Sequence, residues 1–224
     1  MSRILALDTS TDALSVALGI DGQLMESHRV IPRQHGQEIL PTVDQLLSQA
    51  GIRLQQLDAI AFGCGPGSFT GLRIALGIVQ GLAFGADLPV IPVSTLATLA
   101  CTGWATASRA PCAVLASLDA RMGQVYWAIY QVDAESLETI HPDSLSAPTE
   151  VFLPAPCSTP VIGVGSGCLY LTDVPGLSIE DQTLTPRASA MLGLAAKELA
   201  QGRTVAAEHT ELVYLRDQVA WQRS

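Results

Sequence analysis

The chain opens on a short apolar run, residues 3–7, that stops at the polar turn Asp8-Thr9-Ser10-Thr11-Asp12. Residues 14–20 then alternate in the manner of a half-buried strand. Asp21-Gly22 is a hairpin signal, and residues 24–31 read as the returning strand ahead of Pro32. This pattern predicts three antiparallel strands, the first two joined by a turn whose amides could face a ligand. Over residues 38–50, Ile39, Val43, Leu46, Leu47 and Ala50 recur at helical spacing, with Gly51 as the stop. Pro41 falls in the first turn, where its missing amide costs little. Residues 57–62 read as a strand that empties into Gly63-Cys64-Gly65-Pro66-Gly67-Ser68-Phe69-Thr70-Gly71-Leu72-Arg73. A second helix follows to about Gly85, then a strand at residues 90–93.

That second helix has almost no polar face. Ile74, Ala75, Leu76, Ile78, Val79, Leu82, Ala83 and Phe84 surround it, which predicts burial on all sides. Gly77, Gly81 and Gly85 recur every fourth residue, and each glycine costs up to about 1 kcal/mol in a helix interior. A compensating contact is therefore expected, with one face on the sheet and the other on a second chain. The alternative is a helix sandwiched inside one domain.

The rest of the chain is less regular. Residues 102–111 are small and polar and read as a linker. Residues 112–118 and 125–132 read as strands around a turn at 119–124, and residues 144–160 as an irregular stretch. Residues 161–164 form a short strand entering Gly165-Ser166-Gly167, and residues 188–200 form a helix. No repeat of fixed period is visible, but both halves begin with a strand, an Asp-containing turn and another strand.

Composition narrows the classes. The 224 residues carry 12 Lys+Arg against 21 Asp+Glu, a net charge of −9, with 48% hydrophobic and 15% charged residues. A disordered segment is excluded by that hydrophobicity. A stand-alone nucleic-acid binder is disfavoured, because phosphate affinity needs clustered Lys and Arg and Lys197 is the only lysine. The mean hydropathy of +0.33 points to apolar surface that needs a partner. The N-terminal apolar piece is too short for a signal peptide, and residues 74–86 are shorter than the roughly 20 a membrane span requires. Cys64, Cys101, Cys112, Cys157 and Cys168 show no C-x-x-C pair, so reduced thiols in a cytoplasmic protein are expected. The histidines, His28, His35, His141 and His209, lack metal-ligand spacing, and no metal site is expected. His35 reads as a solvated loop residue.

Two Asp turns and one glycine-rich loop could carry chemistry. An Asp-x-Ser/Thr turn between strands can hold Mg²⁺ or water while its hydroxyls and amides face phosphate. Asp8, Thr9 and Ser10 fit that description, and Asp119-Ala120-Arg121 is the counterpart. The plain alternative for each is a turn former. Gly65-Pro66-Gly67-Ser68 before a helix N-terminus is a candidate anion site. It is not a Walker loop, for no lysine follows, and not a G-x-S-x-G elbow. Ser68 or Thr70 acting simply as N-cap explains the same residues. The candidate phosphate group is thus Asp8, Thr9, Ser10, Gly65, Gly67, Ser68, Asp119, Arg121 and Gly165.

Residues 1–93 resemble the N-terminal domain of the TsaB (YeaZ) family. The resemblance rests on Ile4-Leu5-Ala6-Leu7-Asp8-Thr9-Ser10, on His35-Gly36-Gln37-Glu38-Ile39-Leu40-Pro41 and above all on Gly65-Pro66-Gly67-Ser68-Phe69-Thr70-Gly71-Leu72-Arg73. Asp119-Ala120-Arg121, Pro186-Arg187-Ala188 and Tyr214-Leu215-Arg216 add weaker support. The resemblance implies an actin/sugar-kinase/Hsp70-like, RNase H-like α/β fold of two lobes, here 1–101 and 102–224. It implies a non-catalytic subunit in forming N6-threonylcarbamoyladenosine on tRNA, working with a catalytic sister, TsaD, and an ATPase, TsaE. It also implies homodimers and TsaD heterodimers through the N-terminal helices. The expected interface is Ile39, Val43 and Leu46 on the first helix with Leu72, Ile74, Gly77, Ile78, Gly81, Leu82 and Gly85 on the second. The sister carries a metal-binding His-x-x-x-His after a comparable strand, where this chain has Ser94-Thr95-Leu96-Ala97-Thr98-Leu99. The reading is a scaffold that touches tRNA through its complex, with no cofactor of its own beyond a candidate ATP/ADP-Mg at a partner boundary, and no membrane. The runner-up is an ATP/Mg-dependent phosphotransferase or ATPase using Asp8 and Asp119, with residues 163–167 near adenosine. A peptidase is a third reading without a supporting motif.

Overall fold

The computed structural model describes residues 2–107, 110–154 and 161–216; Cys157 lies outside them. Two five-stranded mixed sheets carry the fold. In the first, β1 (Ile4–Asp8), β2 (Ala13–Ile20) and β3 (Gln23–Val30) run antiparallel. β4 (Ala59–Gly65) and β5 (Val90–Ser94) add in parallel beside β1, giving the order β3-β2-β1-β4-β5. The second sheet has antiparallel β6 (Cys112–Arg121), β7 (Gln124–Val132) and β8 (Leu137–Ser146). Parallel β9 (Val161–Val164) and β10 (Leu177–Asp181) complete it. Read from β8, its order is β8-β7-β6-β9-β10, so both sheets follow one plan: three antiparallel strands, then two parallel ones beside the first. That duplicated topology is the two-lobed α/β arrangement of the actin-like, RNase H-like fold.

Helices α1 (His35–Ala50), α2 (Phe69–Ala86), α3 (Thr95–Thr106) and α4 (Ala188–Ala200) cover the sheets. The central strands are apolar on both faces, as parallel strands between helix layers are. Leu5, Leu7, Ile60 and Phe62 face α1 and α2, and Ile39, Val43, Leu46, Ala75, Val79 and Ala83 meet them. Ile4, Ala6, Ala17, Ala59 and Ala61 face the other way, and their small side chains let α4 seat Ala188, Met191 and Ala195 close to the sheet. The helices following the last strand of each lobe change sides. α3 packs Leu96, Leu99 and Ala100 on β6 and β7 of the second sheet, and α4 packs on the first. Glu26 on β3 accepts from the backbone amide of Ser189 (3.1 Å) and pairs with Arg187 (2.8 Å), placing a carboxylate at the α4 N-terminus, where the helix dipole favours it.

Several expectations shift. Residues 102–106 are helix rather than linker. The Thr102 and Thr106 hydroxyls bond back to the carbonyls of Thr98 and Thr102 (2.8 and 3.1 Å), and Gly103 lies flush against Val164, where a Cβ would meet Cγ1 at 2.8 Å. His35 is not a solvated loop residue: it is buried as the first residue of α1. β8 and β10 stand where no strand was expected, as edge strands with mostly half-exposed or exposed residues. α2 is long and apolar enough, by length and composition, to cross a membrane. It instead links two adjacent parallel strands and buries Leu72, Ala75, Val79 and Ala83 on their sheet.

Candidate functional site

The β1–β2 turn is built inward. Asp8, Thr9 and Ser10 are all buried. Asp8 Oδ1 accepts from the Ser10 amide (2.9 Å) and the Ser10 hydroxyl (2.7 Å), while the Thr9 hydroxyl donates to the Gly71 carbonyl (2.8 Å). The Ser68 amide donates to the Ser10 carbonyl (2.7 Å). Ser68 is the N-cap of α2, its hydroxyl accepting from the Gly71 amide (3.3 Å). Gly67 and Gly71 are required by this closeness: a Cβ on Gly67 would lie 2.7 Å from the Ser10 carbonyl, and one on Gly71 would overlap the Thr9 carbonyl. The glycine-rich loop therefore fills the cradle that the turn would offer a phosphate, and the Thr9 and Ser10 hydroxyls are engaged by the chain itself.

Asp8 Oδ2 and the Thr95 hydroxyl are buried without a hydrogen-bond partner among the described residues, and both border the position a Cβ on Gly63 would take. Burial outweighs the two Ser10 hydrogen bonds and pushes the Asp8 carboxyl up to about 6. The same desolvation, with the nearby Asp143 charge, pushes the Cys64 thiol up to about 12.

Asp119 is the counterpart of Asp8 at the end of β6. Its Oδ1 accepts from the amide two residues on (Arg121, 2.7 Å), as Asp8 does from Ser10, and its Oδ2 pairs with the Arg121 guanidinium at 3.1 Å. The Asp119 amide donates to Ser166 Oγ (3.1 Å), and Gly167 sits against the backbone of β6, 2.9 Å separating its would-be Cβ from the Leu118 nitrogen. Gly165 takes φ +96° and likewise rests on the Ser117 carbonyl. A cavity of about 200 Å³ beside this turn is lined by Asp119, Arg121, Met122, Gly123, Gln124 and Tyr170, below the size of most small-molecule sites. The structure thus brings Asp8, Thr9, Ser10, Gly67 and Ser68 together in one lobe. Asp119, Arg121 and Gly165 gather in the other.

The expected interface residues divide by face. Ile39, Val43, Leu46 and Leu72 are buried in the chain's own core, so they hold α1 and α2 to the sheet and are not available to a partner. Ile74, Gly77, Ile78, Gly81, Leu82 and Gly85 lie on the outer side, half-exposed or exposed. Among the described residues nothing stands within 4 Å of where a Cβ would be on Gly77, Gly81 or Gly85. A Cβ on Gly36 of α1 would lie 3.9 Å from Ile74 Cδ1, which places the two helices side by side here. Phe84 (80% exposed), Phe69 (52%) and Leu40 (45%) border this surface. No ionisable side chain lies on α2 between Arg73 and Asp87. The apolar run showed Phe84, but only the helix orientation shows that it points outward.

One functional-looking group carries no sequence signal. Asp143 on β8 accepts from the Ser94 hydroxyl (2.6 Å) and the Tyr130 hydroxyl (2.5 Å). Ser94 caps α3, so this carboxylate ties the first sheet to the second across the lobe boundary. Burial raises its pKa above the ordinary carboxylate range.

Comparison with known proteins adds the following. The family model described as "TsaD: tRNA N6-adenosine threonylcarbamoyltransferase" matches residues 28–221. The tRNA threonylcarbamoyladenosine biosynthesis protein TsaB of Escherichia coli (strain K12) is 44% identical, covering 99% of this chain and 97% of that protein. Its namesake in Haemophilus influenzae is 38% identical, covering 98% and 96%. The solved structure titled YeaZ from Pseudomonas aeruginosa superposes with a TM-score of 0.90 at 42% identity, covering 96% of this chain and 100% of that one. A Pseudomonas aeruginosa structure described as similar to peptidase YEAZ gives 0.91 at 43%, with the same coverage.

Proposed function

The chain belongs to the TsaB family, and from that we propose that it is a non-catalytic scaffold subunit in forming N6-threonylcarbamoyladenosine on tRNA. Its partners in this reading are a TsaD-type catalytic subunit, TsaE and, when alone, a second copy of itself. The single observation that carries the reading is the outer face of α2. Three helical glycines, each costing up to about 1 kcal/mol, open onto empty space between exposed apolar side chains. A lone chain gains nothing from that arrangement, whereas a partner helix laid over it recovers close backbone packing and buries Ile74, Ile78 and Phe84.

Two further points support a binding role. The stretch Ser94–Leu99, which follows β5, carries no histidine. The hydroxyls of the β1–β2 turn are consumed inside the chain. An ATP or ADP with Mg²⁺ used by the complex then sits at a boundary between subunits rather than in this turn. With a net charge of −9, the partner supplies most of the basic surface that meets tRNA. We place the assembly in the cytoplasm, with its thiols reduced.

Reconstitution tests this. Unmodified tRNA, threonine, bicarbonate, ATP and the enzymes that make the threonylcarbamoyl adenylate are combined with TsaD and TsaE, with and without this chain. Modification should depend on the chain, and the Gly81→Leu variant should fail both to support it and to co-purify with TsaD. Modification at the full rate without the chain overturns the proposal. Turnover of Mg-ATP by the chain alone, lost in Asp8→Ala, favours the phosphotransferase reading instead.

A further inference from the structure

After α4 the chain crosses the whole molecule. Val205 pairs with Val90 on the outer edge of β5 through two backbone hydrogen bonds (2.8 and 2.9 Å). Thr210 is buried beside α2, and Gln80 donates to its carbonyl (3.4 Å). The Val213 amide donates to the Cys64 carbonyl (2.9 Å) at the end of β4. Arg216 then reaches the other lobe, where its guanidinium donates to the Ala120 carbonyl (3.0 Å) at the end of β6 and contacts Met122 Sδ (2.8 Å). The ends of β4 and β6 are the carboxyl ends of parallel strands in the two sheets, the place where open α/β sheets take their ligands.

We propose that residues 210–216 are a built-in clamp that occupies the crevice between the lobes and fixes their angle, with Arg216 as its latch on the β6–β7 turn. Gly65 is fitted to this segment. It takes φ +119°, and a Cβ there would lie 2.5 Å from the Val213 carbonyl. A glycine that reads as part of an anion loop thus makes room for the chain's own backbone. The turn that Arg216 grips has three successive residues, Arg121, Met122 and Gly123, at positive φ, which turns the Ala120 and Arg121 carbonyls toward the guanidinium (3.0 and 3.5 Å). Tyr214 makes a tilted ring contact with Phe69, centroids 6.1 Å apart, and Arg73 lies over the Phe69 ring at 3.3 Å.

Hydrogen exchange on the full-length chain tests the clamp. Arg216→Ala should speed exchange about tenfold at amides 211–213 and also at 121–124 in the other lobe, while the Val205 amide, held by Val90, stays protected. Arg216→Lys keeps the charge but loses the second nitrogen, since Nη2 reaches both carbonyls while Nη1 contacts Met122 Sδ, and should fall between. Val213→Pro removes the amide bonded to Cys64 and should give the same two-lobe signature by a separate route. Exchange at 121–124 within twofold of the parent in both Arg216→Ala and Val213→Pro overturns the proposal, as does loss of Val205 protection together with the rest, which would mark general unfolding.

Discussion

The hydroxyl of Thr9 donates to the carbonyl of Gly71 at 2.8 Å, across a separation of 62 residues. This bond fastens the start of α2 to the turn after β1, and the space it needs exists only because residue 71 has no side chain. Gly71→Ala should push α2 off the turn and cost about 3 kcal/mol, in the range of overpacked buried sites. Thermal or urea unfolding reads this directly.

The glycines on the outer face of the same helix should behave in the opposite way. Gly77→Ala and Gly85→Ala meet no neighbour, so each should stabilise the isolated chain by about 0.5–1 kcal/mol through helix propensity. Gly81→Leu also leaves folding intact, but should weaken self-association and TsaD binding by about tenfold or more, measured by analytical ultracentrifugation. Phe84→Ser should weaken association without loss of stability, since the ring is 80% exposed.

Asp8 should make stability fall as pH rises. Its carboxyl titrates near 6 in the folded chain and near 3.8 when unfolded, so between those values the native state holds more protons. The neutral form is favoured below about pH 4, and that advantage is gone above pH 6. Asp8→Asn keeps an acceptor for both Ser10 donors and offers an amide N–H in place of the unpartnered Oδ2. The variant should match the parent near pH 4 and exceed it by about 3 kcal/mol at pH 7.5 in denaturant melts. Equal stabilities at both pH values would remove Asp8 as the cause.

Asp143→Ala strands the buried Tyr130 hydroxyl and takes the acceptor from the half-buried Ser94 hydroxyl, and should cost about 1–3 kcal/mol. Asp143→Asn keeps one acceptor and should cost less. The loss should appear as faster hydrogen exchange at the α3 N-terminus, where Ser94 is the cap.

The first lobe is largely legible in the sequence because its elements are long and their signals agree. Residues 14–20 alternate and form a strand, though one buried on both faces over Ala13–Leu18 rather than half-buried, because α4 covers its second face; Asp21-Gly22 turns, Gly51 closes α1, and the glycine loop precedes a helix. The second lobe is harder because the edge strands β8 and β10 have no buried face to imprint a period. Thr102 and Gly103 read as linker residues by composition, yet they continue α3, the Thr102 hydroxyl bonding back to the Thr98 carbonyl and Gly103 lying against Val164. At the candidate site, residue types alone did not separate a phosphate cradle from a filled one. Asp8, Ser10 and Gly67 suit both, and only the path of the glycine loop over the turn decides. Likewise a helix apolar all round does not reveal which side its own sheet takes; Leu72 and Ile74 look alike until the register of β4 and β5 is known.

The trading of α3 and α4 between the sheets bears on how such a molecule can be divided. A gene cut between α3 and β6 would yield one fragment whose sheet lacks α4 and another whose sheet lacks α3. Neither product would be self-sufficient, yet mixed together they should find each other, each donating the cover the other lacks.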